Sequence, residues 1–171
     1  MGGGIQKKIL SEVHLIYGDV SMPKGFEINS LELIKSMFEA LYYEKDHSFC
    51  KDWDKLNVYI KDFARVKHQL NLVNKDSWGS IYIPNEKTES LTHIDPVDLR
   101  DSPDFTLLYG INTKDCMIKI FYDDNRRKGR SWEMKLKNNM FIMFPSTNMY
   151  YLTNNQKDSL NFVQTITYEY I

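Results

Sequence analysis

Only two of the 171 residues are alanine, Ala40 and Ala64, and only two are cysteine, Cys50 and Cys116. Two cysteines cannot make a disulfide framework, and neither sits in a C-x-x-C or zinc-type spacing. A reducing, cytoplasmic setting is therefore expected. No apolar run approaches the roughly 20 residues that a membrane-spanning helix needs. With 22 basic and 23 acidic residues the formal net charge is −1, so bulk electrostatics favour neither nucleic acid nor an anionic membrane as partner. The one basic cluster, "RRKGR" at 126–130, stands one residue after two aspartates and reads as a solvated hairpin tip. The opening "MGGGIQKKIL" has no cleavable-signal pattern, and Gln6 stands where a myristoylation signal needs Ser or Thr. Histidine is scarce as well: His14, His47, His68 and His93, with none later in the chain.

Aromatic side chains are plentiful instead, with eleven tyrosines and nine phenylalanines. Together with abundant Lys, Asn and Ile this is the bias of AT-rich coding, common in phages and some bacteria. The length and the 42% apolar content fit a single domain, 1–171, with enough chain to bury a core.

The chain reads as helices first and strands afterwards, an α+β order. In "NSLELIKSMFEALYY", Leu31, Ile34, Met37, Phe38 and Leu41 recur at helical spacing. Asn29 with Glu32 three residues on has the form of a capping box. A second helix is expected from "DKLNVYIKDFARVKHQLNLV", capped by Asp54 and apolar along Leu56, Ile60, Phe63 and Leu70. From Trp78 the pattern becomes strand-like: "WGSIYIP", "SLTHID", "FTLLYGIN", "CMIKIFYDD", "SWEMKLKN", "MFIMFP", "MYYLTN" and "LNFVQTITYEYI". About eight strands roughly ten residues apart predict a sandwich or barrel of jelly-roll type. The expected division is a helical front part, 1–77, and a β core, 78–171.

One pair of residues in this core carries metal chemistry. On a strand, residues i and i+2 share a face, so His93 and Asp95 of "THIDP" can present an imidazole and a carboxylate to one ion. By itself so short a pattern is more often a hydrogen-bonded pair. The succession "THIDP", "LLYGIN", "CMIKIFYDD", "NNMFIMFPSTNMYYL" and "LNFVQTITYEY", however, resembles the Fe(II)/2-oxoglutarate-dependent oxygenases, in particular their prolyl-hydroxylase-like branch. The resemblance spans about 78–170. It implies a double-stranded β-helix (jelly-roll or cupin-like) core with the N-terminal helices packed on it. It also implies Fe(II) and 2-oxoglutarate as cofactors, and hydroxylation of a small-molecule or protein substrate. In such a centre two histidines and one carboxylate leave open positions on iron.

Carried over residue by residue, the resemblance makes His93 and Asp95 metal ligands and Tyr109 a hydrogen-bond partner of the cosubstrate. The sequence departs from the pattern at two points. Tyr150 occupies the position of the second histidine, so it becomes the third expected ligand. The last strand carries Asn161 where relatives carry a basic residue for the distal carboxylate of 2-oxoglutarate. Lys119 on "MIKIFY" either turns inward and supplies that charge or faces solvent from an alternating strand. The alternative to an oxygenase is a catalytically degenerate jelly-roll protein, binding or structural and of phage type. A cupin-like metal protein with other ligands is a third reading, opposed by the single histidine of the core.

Overall fold

The computed structural model describes residues 4–8, 14–43, 50–123 and 130–171. The order of elements is β1 (Ile16–Asp19), α1 (Ser30–Tyr43), α2 (Lys51–His68), β2 (Leu72–Tyr82), β3 (Phe105–Asn112), β4 (Cys116–Asp123), β5 (Arg130–Lys135), β6 (Met140–Pro145), β7 (Met149–Asn154) and β8 (Asn161–Tyr170). His47 and most of the basic cluster, 126–129, fall outside the described residues.

α1 begins where expected. The Asn29 side-chain oxygen accepts the N–H groups of Leu31 and Glu32 (3.0 and 3.4 Å), satisfying donors that the first helical turn leaves open. The Asn29 N–H donates to the Asp52 carboxylate (2.8 Å), so the start of α2 completes the cap of α1. The buried face of α1 is Leu33 and Met37, while Leu31 and Leu41 are exposed, which rotates the stripe relative to the sequence reading. α2 starts at Lys51 with Cys50 as its N-cap rather than Asp54. It buries Trp53, Leu56, Ile60 and Ala64. It ends at His68 through a left-handed Gln69, whose N–H bonds back to the Ala64 carbonyl. Leu72 and Val73, expected at the end of this helix, open β2 instead.

Among the described residues, eight strands form two antiparallel sheets. The larger has the order β1-β6-β3-β8-β2 and the smaller β5-β4-β7. Between β2 and β3, Lys87 and Leu91 make isolated bridges to Thr153 and Tyr150 of β7. The chain thus visits the large sheet at β2, the small at 87–91, the large at β3, the small at β4 and β5, then the large, small and large again at β6, β7 and β8.

Period-2 alternation explains the two cores. On β3 and β6 the residues Leu107, Tyr109, Ile111, Phe141 and Met143 join Leu33, Leu56 and Ile60 of the helices. Their alternates Leu108, Ile142 and Phe144 join Ile118, Ile120, Tyr150, Leu152 and Val163 between the sheets. Strands buried on both faces need continuous apolar runs, which is why "FTLLYGIN" and "MFIMFP" lack polar alternation. β4 has one buried face only, and Lys119 interrupts Ile118 and Ile120 on its outer side. Gly110 marks a tight crossing: a Cβ there would lie 2.2 Å from the Lys137 carbonyl oxygen. Among the described residues no helix is long and apolar enough to cross a membrane.

Candidate functional site

Between the sheets, one imidazole and one phenol converge. His93 belongs to the segment that runs alongside β7. Leu91 and Tyr150 exchange both backbone hydrogen bonds, at 2.7 Å and 3.0 Å, and the Thr92 hydroxyl donates to the Ser146 carbonyl (3.1 Å). This anchoring brings the His93 Nε2 within 2.6 Å of the Tyr150 hydroxyl. The edge of the imidazole meets Trp78 of β2, centroid to centroid 5.1 Å, and Phe144 of β6 packs edge-on against Tyr150 at 5.2 Å.

The electrostatics of the pair follow from burial. Tyr150 is 2% exposed, and desolvation raises its phenol above the usual range, the nearby Tyr82 adding to the effect. Partial burial lowers the His93 imidazole. Both shifts favour the neutral forms, so the contact is a hydrogen bond between two neutral groups whose donor is set by the imidazole tautomer.

Asp95 is placed differently from the sequence reading. Residues 92–95 lie past the Leu91 bridge and are not part of a strand, so strand alternation does not put Asp95 beside His93. Its Oδ1 accepts the Val97 N–H (2.8 Å), an Asx-type turn, and its own N–H donates to the Ser102 hydroxyl (2.7 Å). The carboxylate is exposed. The proline after it and the "VDLRDS" loop explain the geometry: Pro96 ends any pairing, and an aspartate before a turn caps it.

The three residues expected at the cosubstrate do not gather here. Tyr109 packs in the cluster shared with the helices and donates its hydroxyl to Asn139 Oδ1 (2.8 Å), on the other side of the large sheet. Lys119 points away from the inter-sheet core, because its neighbours Ile118 and Ile120 point in. Its ammonium pairs with Glu133 at 3.3 Å and lies 5.9 Å from the Tyr151 ring centre. Asn161 is fully buried, and its Oδ1 accepts the Lys114 N–H and the Gln156 amide, both at 2.9 Å. The Asn161 Nδ2 has no hydrogen-bond partner. Among the described residues no group of three His, Cys, Asp or Glu side chains is arranged to hold a metal ion.

The sequence reading missed Trp78 and Phe144 as walls of the site. Alternation of Trp78, Ser80 and Tyr82 in "WGSIYIP" was the available signal, since Tyr82 faces the inter-sheet core. Neither cysteine is positioned for chemistry. Both are free, and burial pushes the Cys116 thiol up to about 12, which keeps it protonated and inert.

No protein-family model matches the sequence, and no curated protein matches it. Solved structures do match in shape. The viral collagen prolyl hydroxylase of Paramecium Bursaria Chlorella virus-1 is similar over 92% of this chain and 96% of its own, with 13% identity and a TM-score of 0.63. A prolyl-4-hydroxylase of Pseudomonas putida is similar over 91% of both chains, with 9% identity and a TM-score of 0.61. The non-heme α-ketoglutarate-dependent epimerase SnoN of nogalamycin biosynthesis covers 90% of this chain with 76% of its own, at 8% identity and a TM-score of 0.65. The chain is built on the fold of the prolyl hydroxylases and related 2-oxoglutarate, Fe(II) oxygenases.

Proposed function

We propose that this chain is a divergent, iron-dependent oxygenase-like protein whose centre is His93, Asp95 and Tyr150, acting on a small-molecule or protein substrate. The alternation of strands between two sheets supports a double-stranded β-helix core with the helices on its outer face. The observation that carries the functional reading is the meeting of His93 Nε2 and the Tyr150 hydroxyl at 2.6 Å. They come from two separate segments, at the inter-sheet position that the resemblance assigns to the metal.

The donor set fits iron and not 2-oxoglutarate. Imidazole, carboxylate and phenol are all donors that iron accepts, and the neutral His93 is in its ligating form. Asp95, whose carboxylate caps the turn at Val97, would have to leave that turn to become the third ligand. Iron in such a centre supplies the redox chemistry of oxygenation. The chain's own residues hold the ring orientation through Trp78, exclude water through Phe144 and keep one proton on Tyr150 until a cation displaces it. For the cosubstrate the fit fails: Lys119 is outward, Tyr109 is on the opposite face, and Asn161 is neutral with its carbonyl oxygen already committed. No step is routed through 2-oxoglutarate.

A second reading is compatible with the same hydrogen bond. A neutral Tyr150–His93 pair closes on itself without a metal, as expected of a binding protein on a degenerate oxygenase scaffold. Anaerobic titration of the pure protein with Fe(II), then with 2-oxoglutarate, separates the two. The oxygenase-like reading expects one equivalent of Fe(II) bound, and only weak change on adding 2-oxoglutarate. Failure to bind Fe(II) at all, with the protein folded, leaves the binding-protein reading alone.

A further inference from the structure

At the β1–β5 edge of the sandwich, opposite the β2 edge where His93 meets Trp78, lies a second feature. A cavity of about 390 Å³ is lined by Leu15, Tyr17, Ile120, Tyr122, Trp132 and Asn148. Its walls come from the edge of the large sheet (β1) and from β4 and β5 of the small one, so it bridges the gap between the sheets. Leu15 and Trp132 pack against the inter-sheet core, and Tyr17 meets Trp132 across the gap, centroids 5.4 Å apart and planes at 42°. Ile120 is the register partner of both Trp132 and Tyr150, and Asn148 lies two residues before Tyr150. The floor of the cavity is therefore one side chain away from the buried phenol.

The chemistry of the lining selects its occupant. Among the described residues, three aromatic rings and two aliphatic side chains surround one amide, the polar groups besides it are the two phenol hydroxyls and the indole N–H, and no Asp, Glu, Lys, Arg or His lines the cavity. A charged ligand would lose its hydration with no counter-charge in return. A sugar ring carries a hydroxyl on most carbons and would leave the majority without partners. A flat aromatic molecule offers ring faces and edges to Tyr17, Tyr122 and Trp132, and needs only one polar partner. The volume is within the range of small-molecule sites, roughly 300–1,000 Å³.

We propose that this cavity binds an uncharged aromatic small molecule, held by Tyr17, Tyr122 and Trp132, with one polar edge group at Asn148. As a substrate site it rests on the oxygenase-like reading; as a ligand site it stands without any metal.

The test is calorimetric titration of the full chain in excess EDTA with 2-naphthol, 2-naphthoate and methyl glucoside as probes, and with naphthalene as the reference that lacks the hydroxyl. Saturable binding of 2-naphthol, at least tenfold tighter than either other probe, is expected. W132L keeps an apolar wall but removes the ring, and should weaken 2-naphthol about tenfold. N148L should erase the preference for 2-naphthol over naphthalene. Circular dichroism confirms that each variant is folded. Absence of saturable 2-naphthol binding to the wild-type chain overturns the proposal, as does tighter binding of the sugar or the carboxylate. Equal affinity in both folded variants overturns it too. Because EDTA removes metal, these outcomes are independent of whether Fe(II) binds the centre.

Discussion

A single side chain, Tyr150, decides what the centre can do. In the inter-sheet core its hydroxyl shares a hydrogen bond with His93, and burial favours the neutral form of both partners. For His93 this has a consequence for stability. Its folded pKa lies below the usual histidine value, so the unfolded chain binds the proton more readily. The contribution is fully present above about pH 6.5 and is lost as pH falls through the lowered folded value. Urea denaturation from pH 7.5 to pH 5 should show a loss of stability in the wild type that H93N lacks; parallel slopes for the two chains would remove the claim. Much of this residue-scale picture was legible. His93 and Tyr150 were both singled out from the order of motifs, and they meet. Asp95, Tyr109 and Lys119 were harder, because their roles depend on facts that a one-dimensional pattern does not carry. One is where pairing stops before Pro96, and the others are which side of a sheet each residue faces.

At the scale of elements, the strands with the clearest alternation or longest apolar runs were the most readable. β3, β6 and β7 have the bounds that "FTLLYGIN", "MFIMFP" and "MYYLTN" imply, and β4 follows "CMIKIFYDD" as far as Asp123. The segment "SLTHID" was read as a strand and contributes only the Leu91 bridge, since its pairing ends before the histidine. β1 gave no signal at four residues, yet it forms the edge of the large sheet and one wall of the aromatic cavity. The connection after β3 shows how tightly elements are fitted. Gly110 lies where a Cβ would press on the Lys137 backbone oxygen at 2.2 Å, and its carbonyl accepts the Asn139 N–H at 2.8 Å. Backbone cannot yield as a flexible side chain can, so G110A should destabilise the fold by roughly 1–3 kcal/mol. Thermal melting of the purified variant checks this, and an unchanged melting temperature would mean that the crossing is looser than it looks.

Across the whole molecule, three layers are stacked: helices, a large sheet buried on both faces, and a small sheet whose outer face carries Lys119, Glu133 and Tyr151. The α+β order and the sheet-rich later part were readable because strand alternation is plain from Trp78 onward, although β2 already starts at Leu72 and β1 precedes the helices. Which loops meet at the mouth of the sandwich was not, since those contacts join residues far apart in sequence. That assembly leaves the aromatic cavity at the β1–β5 edge and brings His93 and Tyr150 together at the opposite one. It makes iron binding there dependent on expelling the Tyr150 proton, because a ligating phenol must be deprotonated. The most direct measurement is therefore proton release during anaerobic Fe(II) addition in weakly buffered solution, for the wild type and Y150H. The wild type should release about one proton per Fe(II) bound. Y150H should bind at least tenfold more tightly and release almost none. Fe(II) binding with the same proton release and affinity in both chains, or none in either, would contradict a centre built on His93 and Tyr150.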